Sequence, residues 1–150
     1  MLFRSQVKMI TVEKINPQLY KGAIQQLGEC HQDFSDESVF GRLDIDYDML
    51  AACGDMFQFF GLFDDDALVG YGGIFVSRHH HYNVTVARHD TLFVLPKYTR
   101  HIFKLVDAMQ EAAKESGAEF MFWSAKSGTA FDKWLSKRYN QEEIVYLQEL

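Results

Sequence analysis

The chain has 150 residues, of which 47% are hydrophobic and 15% aromatic, and it carries a formal net charge of -6. This length and composition predict a single domain over residues 1–150 with a substantial core, and exclude a disordered chain. The acidic balance argues against nucleic acid as a direct ligand, which would require clustered Lys and Arg, but is compatible with a basic protein as partner or substrate.

Two cysteines, Cys30 and Cys53, make no disulfide framework and read as reduced thiols. No apolar run approaches the ~20 residues of a membrane span. The opening MLFRSQVKMI lacks the apolar region and cleavage site of a signal peptide. The expectation is a cytoplasmic protein without membrane contact.

Val7 to Val12 reads as a first strand. Asn16 then caps a helix with Pro17 at its first position, and Leu19, Ala23, Ile24 and Leu27 keep helical spacing to about Glu29. Ser35 to Asp48 is acidic and irregular. A short helix follows from about Tyr47 to Cys53, closed by Gly54. Met56 to Phe63 is the second strand, Asp64 to Asp66 a turn, and Ala67 to Val76 the third strand. Tyr82-Asn83 turns the chain into a fourth strand, Val84 to Pro96.

Lys97 to Gly117 is an amphipathic helix that buries Ile102, Leu105, Val106, Met109 and Ala113. A strand over Phe120 to Trp123, a last helix over Ala130 to about Lys137 and a closing strand, Glu143 to Leu150, complete the order β-α-α-β-β-β-α-β-α-β. Hairpins followed by a βαβ-like unit predict an α+β fold. The fourth strand delivers the chain directly to a helix N-terminus, a common arrangement for binding anions.

Taken together, ALVGYGGIFV, HDTLFVLPKYTR with the helix after it, and SAKSGTAFDKWLSKRY resemble the GNAT superfamily, the acetyl-CoA-dependent N-acetyltransferases. Val69-Gly70 matches the family's third-strand pattern. Leu92, Val94 and Pro96 match the end of its fourth strand. Arg138-Tyr139 stands where the family has a glycine-aromatic pair. The pattern is similar to small, divergent members, some of them carried by bacteriophages, which would place the protein in the host cytoplasm or a virion.

The resemblance implies a mixed, mostly antiparallel central sheet flanked by helices. It implies N-acetyl transfer from acetyl-CoA to an amine on a small molecule or protein. A homodimer through the sheet edge or late strands is also implied. By position, Leu92, Phe93 and Val94 would bind the pantetheine arm. Thr99, Arg100, His101, Ile102, Phe103 and Lys104 occupy the pyrophosphate loop, and Ser127 lies where family members contact the cofactor.

That loop carries no glycine, although glycine is what permits close approach of main chain to phosphate. Cationic side chains at Lys97, Arg100, His101 and Lys104 are the alternative. The fourth-strand position that often holds a catalytic Glu is occupied by Arg88 or His89, with Asp90 next along. Asp90 and His89 are therefore the candidate catalytic residues, and strand alternation sets them on opposite faces unless a bulge intervenes. The last-helix position of the usual Tyr acid holds Trp134 or Phe131. Tyr139 is expected to fill the core, as are Trp123 and Trp134.

These departures also support an alternative: a GNAT-fold protein without catalysis that acts as an interaction or virion-associated protein. A third reading is an acidic decoy for a basic or nucleic-acid-handling protein. Arg78-His79-His80-His81, with His89 across the turn, matches no known zinc spacing, so no metal is expected and a solvated hairpin is the reading. The hairpin is expected to edge the acceptor site. Asp44, Asp46 and Asp48 alternate but lack the glycine and bidentate Glu of a calcium loop. Their acidity would favour a cationic acceptor.

Overall fold

The computed structural model describes residues 9–34 and 43–150. Five strands lie in sequential order: β1 (Ile10–Ile15), β2 (Phe57–Asp64), β3 (Ala67–Arg78), β4 (Thr85–Val94) and β5 (Phe120–Phe122). The first four are antiparallel, and β5 runs parallel to β4. That parallel step is made by a helical crossover, as parallel pairing requires. All eight residues of β2 are buried.

Each face of the sheet carries helices. The crossover helix α3 (Ile102–Glu115) buries Leu105, Val106, Met109, Ala112 and Ala113 against Phe60, Leu62, Ile74, Val76 and Ala87. Leu105 and Met109 are wholly enclosed, each contributing about 1.5–3 kcal/mol by leaving water. On the other face, α1 (Lys21–Phe34) packs Ile24 and Leu27 on Phe57, Phe59, Tyr71 and Phe93, and α2 (Tyr47–Ala52) adds Tyr47 and Leu50.

Local signals act where expected. Asn16 Oδ1 accepts from the Gln18 N–H at 3.1 Å, opening a 3-10 turn over Pro17–Tyr20 that leads into α1. Helix α1 runs beyond the predicted Glu29 to Phe34. Asp46 caps α2 by accepting from the Met49 N–H at 2.9 Å. Gly117, at φ 84°, ends α3 in the left-handed conformation that glycine adopts without penalty. Asp65, at φ 52°, makes the tight turn from β2 to β3.

The predicted first strand is shifted: Ile10–Ile15 forms it, and residues 7 and 8 lie outside the described set. So do residues 35–42 of the acidic stretch.

The predicted closing strand is not formed. Residues 140–150 have no strand assignment, and Ile144, Val145, Tyr146 and Leu147 are 63–85% exposed. Strand propensity is local, whereas a strand needs a neighbour in register. Four successive apolar residues at 144–147 also define no single face. Among the described residues Arg88 Nη1 donates to Glu143 Oε1 at 3.4 Å, which ties this segment to the sheet. Among the described residues no helix is long and apolar enough to cross a membrane. Cys30 and Cys53 are free and half-buried.

Candidate active site

Strands β4 and β5 pair only from Val86↔Phe120 to Arg88↔Phe122. Beyond Arg88 the two strands part. β4 continues to Val94 with β3 on its other side, where Gly70 faces Val94 and Gly73 faces Thr91. The Leu95 N–H donates to the Val69 carbonyl at 2.9 Å, which fixes the phase of the ladder. By alternation, Thr91 and Phe93 direct their backbone groups to β3, and Leu92 and Val94 direct theirs to the open edge. Of the three predicted arm-binding residues, Leu92 and Val94 therefore offer free backbone groups. Phe93 bonds to β3, and its ring is buried in the α1-side core.

Gly70 is what lets β3 approach this segment. A Cβ there would lie 2.9 Å from the Phe93 carbonyl oxygen and 3.1 Å from Val94 Cα.

The register between β3 and β4 shifts at Gly73/Ile74: Gly73 faces Thr91 but Ile74 faces His89, which leaves Asp90 as the extra residue of a bulge. His89 and Asp90 go to opposite sides. His89 pairs with Ile74 on the α3 face and lies against Trp123 and Phe131, with ring centroids at 5.3 and 6.0 Å. Its Nδ1 accepts from the Ser124 N–H at 3.4 Å, and its Nε2 is buried without a partner. Burial is what lowers the imidazole pKa, to about 4. It is therefore neutral at pH 7.

An unpartnered buried N–H costs about 1–3 kcal/mol. With Nδ1 already engaged and the ring on the α3 side, His89 is not placed to serve as the base beside Asp90.

Asp90 faces the α1 side, close enough to Tyr71 for its charge to act on that phenol. Its own surface is exposed, yet the protein around it crowds the carboxyl, and this desolvation raises the pKa above the ordinary value. Tyr71 is buried beneath α1. Burial raises its phenol pKa, a hydrogen bond with Thr91 opposes this, and the charges of Tyr47 and Asp90 add to the rise. The Tyr47 hydroxyl is buried without a partner, and burial likewise raises its pKa.

His31, near the end of α1, stacks on Phe93 with ring centroids 4.7 Å apart. Its pKa is lowered by burial and by the nearby Lys126 charge. Asp90, Thr91 and Tyr47 thus lie close to Tyr71 on the α1 face of the sheet, with His31 stacked on Phe93 on the same face. Sequence reasoning picked out only Asp90. Tyr71 reads as an ordinary strand aromatic and His31 as a helix-face residue, and nothing local distinguishes them.

The α3 start differs from expectation. Pro96–His101 is a 3-10 turn, and the α-helix begins at Ile102 rather than Lys97. The Tyr98 N–H donates to the Leu95 carbonyl at 2.8 Å, and the Ile102 N–H to Thr99. Those two amides are therefore occupied by i→i+3 bonds of the turn. Thr99 Oγ1 also donates inward, to the Pro96 carbonyl at 2.9 Å. Lys97, Arg100 and Lys104 are exposed, and Arg100 Nε donates to His101 Nε2 at 3.2 Å. Ile102 packs into the α3 cluster. Phe103 meets Trp134 with ring centroids 5.4 Å apart.

Ser127 is exposed before α4 (Ala130–Ser136). Thr129 caps that helix by accepting from the Asp132 N–H at 3.2 Å. Tyr139 is 45% exposed rather than core-filling, and its hydroxyl accepts from Gln110 Nε2 at 3.2 Å. Trp123 and Trp134 are half-buried in an aromatic row with Phe131.

His79 to His81 stack among themselves in the β3–β4 turn, with His79 and His80 at 5.3 Å. The register pairs His89 with Ile74, not with these histidines. Asp90 lies five residues from Thr85, roughly 17 Å along the strand. Asp44, Asp46 and Asp48 are exposed around the start of α2. Among the described residues no three His, Cys, Asp or Glu side chains converge as a metal site.

The sequence matches the profile of the Acetyltransferase (GNAT) family over residues 27–131. The chain belongs to this family. The matched span contains the bulge, the open β4 edge and α3. Solved GNAT-like structures share the fold. An aminoglycoside acetyltransferase from an uncultured soil metagenomic sample, in complex with sisomicin, is 22% identical, covering 94% of this chain and 95% of that one at a TM-score of 0.71. The ribosomal-protein-alanine N-acetyltransferase of Brucella melitensis biovar Abortus 2308 is 13% identical over 94% and 99%, at 0.72.

AAC(6')-Iy, in complex with the bisubstrate analogue CoA-S-monomethyl-acetylneamine, is 16% identical over 95% and 99%, at 0.66. At these identities the likeness is one of fold. No curated protein sequence matches the chain.

Proposed function

We propose that this GNAT acetyltransferase moves an acetyl group from acetyl-CoA to an amine of a small cationic acceptor. The observation that carries the proposal is the bulge that turns Asp90 toward the α1 face of the sheet beside the open Leu92–Val94 edge. Acetyl-CoA supplies the thioester whose carbonyl carbon accepts the amine and whose sulfur leaves. The free backbone groups of Leu92 and Val94 suit its amide-bearing arm, and their N–H groups can polarise a carbonyl. At the diphosphate end the Tyr98 and Ile102 amides are taken up by the 3-10 turn. There the exposed Lys97, Arg100 and Lys104 are the residues that would hold it.

Only an unprotonated amine can attack. Asp90 takes the amine proton, and a carboxyl whose pKa is raised by crowding is a stronger base than an ordinary one. No tyrosine of α4 stands ready to return a proton to sulfur, so water is the donor. A cationic acceptor is favoured by Asp90 and by the exposed Asp44, Asp46 and Asp48 around the start of α2. The likeness to an aminoglycoside acetyltransferase and to AAC(6')-Iy supports a polyamino acceptor of that chemical kind. Work in the cytoplasm and assembly as a homodimer belong to the same proposal, the latter checked by solution mass.

Titration with acetyl-CoA tests the reading. Binding should raise the melting temperature by mass action, and calorimetry showing no binding at millimolar CoA overturns it. Turnover with an aminoglycoside that survives Asp90→Asn would remove Asp90 from its role.

A further inference from the structure

The first aspartate of the Asp64 to Asp66 turn is not a surface residue. Asp64 ends β2 and is buried, and its Oδ2 accepts from the hydroxyl of Tyr98 in the Pro96–His101 turn. A carboxylate taken out of water is costly unless hydrogen bonds offset the lost hydration. An apolar residue would end the strand without that cost, which points to a use for the acceptor. The hairpin that carries it is fixed independently. The Asp65 N–H donates to the Met9 carbonyl at 3.0 Å, and the Met9 N–H donates to Asp65 Oδ1 at 3.2 Å. The β2–β3 hairpin is thereby tied to the start of β1 on one side and to the turn before α3 on the other.

The other polar bonds of that turn close on the turn itself. The Tyr98 and Ile102 amides go to the Leu95 and Thr99 carbonyls. Thr99 Oγ1 donates to the Pro96 carbonyl, and Arg100 Nε to His101 Nε2. The Tyr98 phenol instead reaches a different element. A 3-10 turn has three residues per turn, so Lys97 and Arg100 share one row of side chains and Tyr98 and His101 the next. Holding the Tyr98 hydroxyl therefore fixes the rotation of the turn about its axis, and with it the row of Lys97 and Arg100. The Lys97 ammonium also lies 5.7 Å from the Tyr98 ring centroid.

We infer that Asp64, acting through Tyr98, is a positioning residue that sets the Pro96–His101 turn for the phosphate end of acetyl-CoA. Its role toward the ligand rests on the proposed use of acetyl-CoA, whereas the anchored turn stands without any ligand.

The test is Tyr98→Phe, which keeps the ring and removes the donor. Calorimetry reads the affinity for CoA, and NMR titration reads that for pantetheine, which has the arm without the phosphates. Amide exchange is read on the ligand-free protein. CoA should bind about tenfold more weakly, pantetheine should change by less than about twofold, and the Ile102 amide should exchange about tenfold faster. Equal losses for CoA and pantetheine would make the pair a general support of the fold and overturn the inference, as would unchanged CoA affinity.

Asp64→Val removes the acceptor instead. Adding Tyr98→Phe to it should weaken CoA no further than about twofold, because the two side chains make one contact. Additive losses overturn the inference, and should Asp64→Val fail to fold, Tyr98→Phe alone decides. If the wild-type protein binds no CoA, the transferase reading falls. Faster Ile102 exchange in Tyr98→Phe then still supports the anchored turn, and unchanged exchange overturns it.

Discussion

His31 lies flat on Phe93, with ring centroids 4.7 Å apart and planes 12° apart. The contact joins the end of α1 to β4 where β4 has left β5. Stacked aromatic pairs contribute about 0.5–1.5 kcal/mol beyond their burial. A double-mutant cycle with His31→Ala and Phe93→Ala should return a coupling in that range by denaturant unfolding. Additive losses would mean that the stack holds nothing.

Asp90 should show opposite effects on activity and stability. Its carboxyl pKa is raised in the folded protein, so the folded state binds more protons than the unfolded one just above the ordinary Asp value. Stability therefore falls as pH rises through this window and stays reduced at pH 7. Asp90→Asn should raise the melting temperature at pH 7, with the gain vanishing in acid below the ordinary Asp pKa. The same change should lower kcat/KM about 10²–10⁴-fold if Asp90 is the base.

The histidines shift the acid limit in the other direction. His89 titrates at about 4 when folded against 6.5 when unfolded, and burial with Lys126 lowers His31 too. The unfolded state binds more protons between those values, so this stability is present above pH 6.5 and is lost as pH falls toward 4. For His89 alone the loss is of order 3 kcal/mol. Urea midpoints measured across this range should slope steeply for the wild type and less for His89→Gln.

Gly70→Ala places a methyl group against the Phe93 carbonyl oxygen and Val94 Cα, which are main-chain atoms that cannot rotate aside. The strands would have to part. A loss of about 1–3 kcal/mol is expected, with weaker CoA binding because Val94 moves. Unfolding and calorimetry on the same variant check both effects.

Ending the chain after Asn140 should change the melting temperature by no more than about 2 °C, since Ile144 to Leu147 are exposed and the Arg88–Glu143 pair is a surface ion pair. A large fall would show that the segment does pair with the sheet.

Most of the fold was legible in the residues because its signals are local. Asn16-Pro17, the apolar spacing of Leu105, Val106 and Met109, Gly117 after α3 and the Asp65 turn each act on their own neighbourhood. Element order then limits topology to a few possibilities, of which the family pattern selects one. The closing strand was misread because EIVYLQEL has strand propensity without a partner edge. The start of α3 was misread because a proline and a run of helix formers do not distinguish a 3-10 turn from an α-helix.

Local residue patterns fix most of the elements, the hydrophobic faces and the presence of Asp90 on the fourth strand. Long-range packing sets the rest: a bulge turns Asp90 toward Tyr71, His89 faces the other side against Trp123, and His31 reaches Phe93 from another element. Those outcomes depend on strand register and helix packing over separations of 20 to 60 residues, and no local pattern encodes which side chains such packing brings together.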